Sequence, residues 1–141
     1  TAVGSQGRTG KSSASAVVST AGNTAPGNLN PTVSWSSPAA GSTIAYDTDL
    51  FATTSAAGTA KVTRACLTIN GQVPAQDYAR PGYSPGTYDG NGCWTNTDRI
   101  YNMTLRVDTT GWSNGDYTFA WTVTDSNNRV SATASRTFKK K

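Results

Sequence analysis

The residues that most often carry out acid–base chemistry are scarce in this chain. It contains no histidine and no glutamate, so only aspartates could transfer protons in a catalytic step. Asp47 and Asp49 are two positions apart and could share one face of an extended segment. A glycosidase carboxylate pair must face across a cleft, whereas this spacing is more typical of a polar turn. We therefore expect that the chain is not an enzyme.

Residues that could bind a metal ion or a cofactor are also scarce. Segment 89–92 offers one carboxylate and two glycines, which are too few oxygen ligands for calcium. The sequence predicts no cofactor and no metal site.

The two cysteines, Cys66 and Cys93, could act either as reactive thiols or as a structural disulfide. Charged residues make up only 14% of the chain, unlike the Lys/Glu-rich composition of a cytosolic helical protein, and this favours a secreted protein. In such a protein the disulfide is the default interpretation. Residues 61–70 predict a strand, the third in the chain, with Cys66 on the face opposite to Leu67 and Ile69. The disulfide would join this outer face to a long loop that contains Cys93, and would stabilise the fold by about 3 kcal/mol.

Four aromatic residues lie among Pro, Gly and Asp in the region 76–98, where no strand pattern accounts for them: Tyr78, Tyr83, Tyr88 and Trp94. Aromatic side chains exposed on loops commonly form binding surfaces, and their flat faces can stack on sugar rings. They could equally fold back as a lid over the core. Both interpretations remain open at this point.

Alternation of apolar and polar residues defines the elements that would position these groups. Period-two patterns recur from residue 31 to residue 138, are separated by turn residues, and show no helical period. They predict an all-β fold, an antiparallel β-sandwich of about seven strands. The predicted core residues are Val33, Trp35, Leu67, Ile69, Met103, Leu105, Val107, Tyr117, Phe119, Trp121 and Val123.

The net charge of +4 is concentrated at the C-terminus, where residues 139–141 form a predicted basic tail of three lysines. The rest of the chain is nearly neutral, which is not typical of a nucleic-acid-binding protein. No apolar run reaches about 18 residues, so we expect no membrane insertion.

Residues 1–30 are rich in Gly, Ser, Ala and Asn, a composition typical of a linker or arm. Within them Ser13, Ser15, Val17 and Val18 are candidates for an extended assembly arm. A weak similarity between 1–20 and the region after 122 suggests the last hairpin of an upstream repeat, and donation of a strand to a neighbouring subunit is a further alternative. The start at Thr1 without a signal peptide is expected of a mature or excised product.

Four segments resemble bacterial immunoglobulin-like domains of the Big-type or cadherin-like kind, which occur in tandem on secreted and surface proteins. These segments are 31–38, 65–71, 105–119 and 123–128. The resemblance covers about 31–138 and departs from the family in the insertion at 76–98 and in both cysteines. It implies an immunoglobulin-like fold and an extracellular, cell-surface or virion-surface location, but no particular ligand.

These observations predict a non-enzymatic structural or interaction module of a surface assembly such as a fibre, a stalk or a virion decoration. Its contacts would be made by the N-terminal arm and by loop 76–98, and its partner would be another protein, either a second copy or a neighbouring repeat. The alternative is a carbohydrate-binding or adhesive domain that uses the loop aromatics.

Overall fold

The computed structural model describes residues 29–45 and 48–141, and the elements in these ranges are β-strands. The smaller sheet runs in the order β1 (Thr32–Ser37), β2 (Asp49–Ser55), β6 (Asn102–Arg106). The larger sheet runs in the order β4 (Thr87–Tyr88), β5 (Cys93–Thr95), β3 (Val62–Ile69), β7 (Gly115–Asp125), β8 (Ala134–Lys140). All the strand pairs are antiparallel, so the predicted immunoglobulin-like β-sandwich is confirmed.

The structure describes eight strands where the sequence predicted about seven. β4 and β5 form a short hairpin within residues 72–98, which the sequence predicts as a long loop or a loop with a short edge strand, and they extend the larger sheet beyond β3. They are only two and three residues long, too short to show an alternating pattern in the sequence. No helix of a length and hydrophobicity suited to crossing a membrane occurs in the part of the chain that the structure describes.

The core lies between the two sheets, and all but two of the predicted core residues are buried there. The exceptions, Ile69 and Tyr117, are half-buried and pack against its edge. Ile69 precedes the Asn70–Gly71 turn, and its N–H donates to the carbonyl of Gln72 across that turn. The Tyr117 hydroxyl donates to the carbonyl of Ser113 at the surface, so this side chain cannot be fully enclosed.

A cluster of aromatic rings occupies the centre of this core. The Trp35 ring lies 5.8 Å from Phe138 and 6.3 Å from Trp121, and Phe119 lies 5.6 Å from Phe138. Tilted and edge-to-face pairs of this kind contribute about 0.5–1.5 kcal/mol each beyond the burial of their area. The Trp35 indole N–H also donates to the carbonyl of Ala134 in β8, which ties the two sheets together at one edge.

The last strand extends beyond the boundary that the sequence indicated. Lys139 and Lys140 belong to β8 and not to a tail, because they pair with Asp116 and Gly115 of β7. The N–H of Lys139 donates to the carbonyl of Ser42, and its Nζ lies 3.0 Å from Asp116. The apolar pattern in the sequence ends at Phe138. The strand continues beyond it through backbone pairing with β7, which an apolar pattern does not reveal.

The turn before β8 is organised by a buried carboxylate. Asp125 Oδ1 accepts hydrogen bonds from the backbone N–H groups of Asn127 and Arg129, and its Oδ2 accepts one from Arg129 Nε. Burial alone would raise the pKa of Asp125, but these hydrogen bonds and the Arg129 charge outweigh it and lower the pKa. Beyond the turn Ser131 is buried and its Oγ accepts the N–H of Val123, while Val130 is exposed. Regular pairing of β8 therefore begins only at Ala134.

Cys66 and Cys93 form a disulfide between β3 and β5, where the two residues are direct partners in the sheet. Their sequence separation is 27 residues. The bond therefore joins neighbouring strands of one sheet, whereas the sequence placed its second end in an irregular loop.

Replacing both cysteines by alanine should lower the free energy of unfolding by about 3 kcal/mol, because the reduced chain regains the entropy of an open loop. Urea unfolding of the parent and of Cys66→Ala/Cys93→Ala measures this difference. A thiol titration of the unreduced parent in denaturant should find no reactive thiol, and two reactive thiols would contradict the assignment.

Stability should fall in acid because folding lowers the pKa of Asp125, Asp89 and Asp108 below the ordinary 3.8. The unfolded chain takes up these protons first as the pH falls, so the contribution is complete above about pH 5, begins to fall as the pH nears 3.8, and is lost as the pH drops through the lower pKa values of the folded state. Urea unfolding of the parent at pH 7, 5 and 3 checks this. Asp125→Asn should be less stable at pH 7 and should lose less on acidification, and a slope equal to that of the parent would contradict the role of Asp125.

Candidate functional site

The aromatic residues that the sequence singled out do not form one surface. Trp94 is 0% exposed and Tyr78 is 7% exposed, so for these two the binding interpretation is wrong and the folded-back alternative holds. Trp94 packs 5.6 Å from Trp121, and its Nε1 donates to Asp77 Oδ1. It faces inward because β5 pairs with β3 and alternation along this short strand directs its side chain to the core.

Two of the candidate tyrosines, Tyr78 and Tyr88, also support the core. Tyr78 packs 6.2 Å from Trp112, and burial raises the pKa of its hydroxyl, with smaller contributions from Asp108 and Tyr88. Tyr88 is half-buried 4.9 Å from Trp94, and its hydroxyl accepts the N–H of Gly92. Of the four candidates only Tyr83 is free to meet a ligand.

A tight turn presents Tyr83 to solvent. The N–H of Tyr83 donates to the carbonyl of Arg80 at 2.8 Å, with Pro81 and Gly82 at the central positions. Gly82 has φ +83°, which the third position of a type II turn requires and which a side chain would disfavour. The turn leaves Tyr83 58% exposed, with the Arg80 guanidinium carbon 4.5 Å from the ring centroid.

Arg80 is itself fixed to the smaller sheet. Its N–H donates to the carbonyl of Thr104 in β6, and its Nη1 lies 3.1 Å from Asp49 Oδ2. Asp49 also accepts two hydrogen bonds from Arg106, at 2.8 and 3.1 Å. Asp49 therefore anchors the loop, and its predicted neighbour Asp47 lies outside the described residues.

A second exposed tyrosine, Tyr101, was not identified from the sequence. It is 59% exposed, and Arg99 Nη1 donates to its hydroxyl at 2.7 Å while the guanidinium carbon lies 5.0 Å from its ring centroid. Apolar residues alternate from Tyr101 through Met103, Leu105 and Val107 in the sequence, which predicts that Tyr101 shares their strand face. However, β6 begins only at Asn102, so the alternation does not extend back to Tyr101. The usable signal was the Arg99–Tyr101 spacing, which places both side chains on the same side of an extended segment.

Asn96 connects the segment that carries Tyr83 to the segment that carries Tyr101. Its Oδ1 accepts the N–H groups of Asp98 and Arg99, and its Nδ2 donates to the carbonyl of Pro85 at 2.9 Å. Gly86 packs against the backbone of Thr95 so closely that a Cβ atom would lie 2.1 Å from the Thr95 carbonyl oxygen. The frame around Tyr83 and Tyr101 is therefore closely packed and not an open loop.

Tyr83 and Tyr101 border a shallow hollow of about 270 Å³, here called the tyrosine groove. Its other lining groups include the side chains of Asn96, Arg99, Asn102 and Thr104. A second hollow of about 170 Å³, here called the adjacent hollow, lies between the β2–β3 turn and residues 99–101 and contains Lys61. Arg99, Ile100 and Tyr101 line both hollows and form the ridge between them.

The groove can bind through aromatic faces, amides, hydroxyls and one guanidinium. Neither hollow has a carboxylate among its lining residues. No group of three potential metal ligands occurs within residues 29–45 and 48–141. The candidate arm residues Ser13, Ser15, Val17 and Val18 lie outside these ranges.

No family model matches the chain, and no curated protein matches it. Among solved structures it is similar to the fibronectin(III)-like modules of Clostridium thermocellum CbhA, with a TM-score of 0.51 and 15% sequence identity. The likeness is to a β-sandwich module. It covers 89% of this chain and 50% of that one, so the chain spans half the length of the structure it matches. At this identity the comparison supports the immunoglobulin-like sandwich, while the narrower Big-type or cadherin-like assignment stays a prediction.

The substitution Gly86→Ala should disrupt this frame, because the new methyl group would collide with the Thr95 carbonyl. We expect a loss of about 3 kcal/mol in urea unfolding, the upper range for overpacking. Gly90→Ala is the matched control, since a Cβ there meets nothing within 4 Å and only the positive φ opposes it. Its cost should be about 1 kcal/mol. Equal losses would contradict the close packing of Gly86.

Proposed function

We propose that the chain is a non-enzymatic interaction module of an extracellular or surface protein, and that the tyrosine groove is its contact surface. The observation that carries the proposal is the pair of exposed tyrosines, Tyr83 and Tyr101, each held beside an arginine. Tyrosine and arginine are enriched among the residues that dominate binding energy at protein surfaces.

The arrangement is suited to binding because its side chains are already ordered. Arg80 is fixed by Asp49 and Arg99 by the Tyr101 hydroxyl, so a ligand would not have to restrain these long side chains on binding. Ordering such a side chain costs about 0.5–1.5 kcal/mol, and that cost is avoided here. The lining groups donate and accept hydrogen bonds but include no carboxylate or imidazole that could act as a general base.

An extracellular or surface location is supported by the disulfide between Cys66 and Cys93, since such bonds persist in oxidising compartments. The sandwich fold agrees with a role as one unit of a larger protein. Assembly through residues 1–30 remains part of the hypothesis, and its candidate residues lie outside the described part of the chain. The carbohydrate alternative also changes, since Tyr83 and Tyr101 replace Trp94 as the available aromatic faces.

The proposal predicts that ligand contact is centred on the tyrosine groove. Amide spectra of the ¹⁵N-labelled chain would be recorded at increasing protein concentration and with panels of neutral and acidic oligosaccharides. Shift changes should cluster at Tyr83, Asn96 and residues 99–104. The double variant Tyr83→Ala/Tyr101→Ala should bind with an affinity at least about tenfold lower, as expected when central aromatic contacts are lost.

Val73→Ala is the matched control, because Val73 is exposed and does not line the groove. It should leave the response unchanged. The proposal fails if the groove responds to neither self-association nor any glycan, or if the response is centred on another surface.

A further inference from the structure

The charged residues that line the two hollows are all cations. Lys61 and Arg99 line these hollows, and no aspartate does. Lys61 pairs only loosely with Asp98, at 3.8 Å, and the Asp98 side chain is 88% exposed. An anionic ligand would therefore meet two cations and no lining carboxylate.

Arg99 differs from the other arginines in the described ranges. Arg64, Arg80, Arg106 and Arg129 each lie within ion-pair distance of an aspartate. Arg136 donates to the carbonyls of Pro38 and Trp35 between the two sheets.

Within that same part of the chain Arg99 forms no ion pair, and its Nη1 donates to a neutral phenol. A guanidinium has five N–H donors, so the Tyr101 hydroxyl leaves enough of them for the two oxygens of a carboxylate.

We propose that the Arg99–Tyr101 ridge binds the uronate units of an acidic polysaccharide. The guanidinium takes the sugar carboxylate as a bidentate pair, and the exposed faces of Tyr101 and Tyr83 stack on sugar rings. Asn102 offers an amide group to the ring hydroxyls. This inference rests on the proposed function, because it names the ligand class of the same groove.

The shape of the surface favours a glycan over a folded protein partner. Stable protein interfaces have an apolar centre. The groove and the adjacent hollow are small, about 270 and 170 Å³, and shallow, and amides, hydroxyls and cations make up most of their lining. Two such hollows on either side of one guanidinium suit successive units of a chain-like ligand.

The test compares a hexamer of galacturonic acid with its fully methyl-esterified form, which keeps the rings and removes the charge. Calorimetric or NMR titration should show the acid binding about tenfold or more tightly than the ester, the size expected for a charge-assisted pair. Arg99→Gln should weaken binding of the acid about tenfold and leave the ester unchanged.

Arg99→Lys should bind the acid at an intermediate level, because it keeps the charge but loses the planar fork. The matched control is Arg64→Gln, which removes the same charge from an arginine paired with Asp89 outside both hollows. Its affinity should stay within about twofold of the parent at 0.15 M salt, where distant surface charges are screened. Thermal unfolding of each variant confirms that it is folded before its affinity is compared.

The inference is overturned if acid and ester bind equally, if Arg64→Gln loses as much as Arg99→Gln, or if oligo-aspartate binds as tightly as the uronate hexamer. The last result would indicate simple charge attraction or an acidic protein partner. Binding of a neutral glycan or of a second copy at the groove would overturn the uronate assignment and leave the proposed function standing. Absence of any response at the groove would overturn both.

Discussion

Insertion of Trp94 beside Trp121 is the contact on which the rest of the loop architecture depends. It places a residue from the end of the 76–98 insertion in the centre of the sandwich, 5.6 Å from a core indole. The neighbouring disulfide keeps β5 paired with β3, so strand pairing fixes the backbone of Trp94 while core contacts fix its side chain. Its N–H then fixes Asp77, whose Oδ1 also accepts the N–H of Ala79. One buried side chain thereby orders the backbone on both sides of it.

The groove follows from this constraint. After Asp77 the chain pairs briefly with β6, through Ala79 opposite Leu105, and the Arg80–Tyr83 turn then carries it away from the sheet. After β5 the chain returns through Asn96 to Arg99 and Tyr101. The space between the outgoing and returning segments is the tyrosine groove, so its aromatic walls are set by buried contacts that no ligand would need to form.

The sequence predicted the parts of the fold in which alternation extends over five or more residues. Strands β1, β2, β3, β6 and β7 and the inward faces of Trp35, Phe119 and Trp121 follow from that period alone. It could not place Trp94, because three residues of β5 carry no period and the inward direction is set by pairing with β3. It missed Tyr101 because the strand starts one residue later than the apolar pattern suggests. The exact start of a strand depends on backbone hydrogen bonds to partners distant in sequence, which a local pattern does not contain.

The aspartates show where the polar chemistry of this chain is used. Each one in the described ranges has a partner within the fold: Asp49, Asp77, Asp89, Asp98, Asp108, Asp116 and Asp125. They cap turns or neutralise cations within the fold. Among the residues that the structure describes, no carboxylate lies within ion-pair distance of Arg99, whose guanidinium contacts the Tyr101 phenol. An arginine kept ordered without an anion adds little to folding, because its cation–π contact at an exposed site contributes about 0.5–1 kcal/mol. The proposed uronate would supply to Arg99 the anionic partner that most of the other described arginines receive from an aspartate.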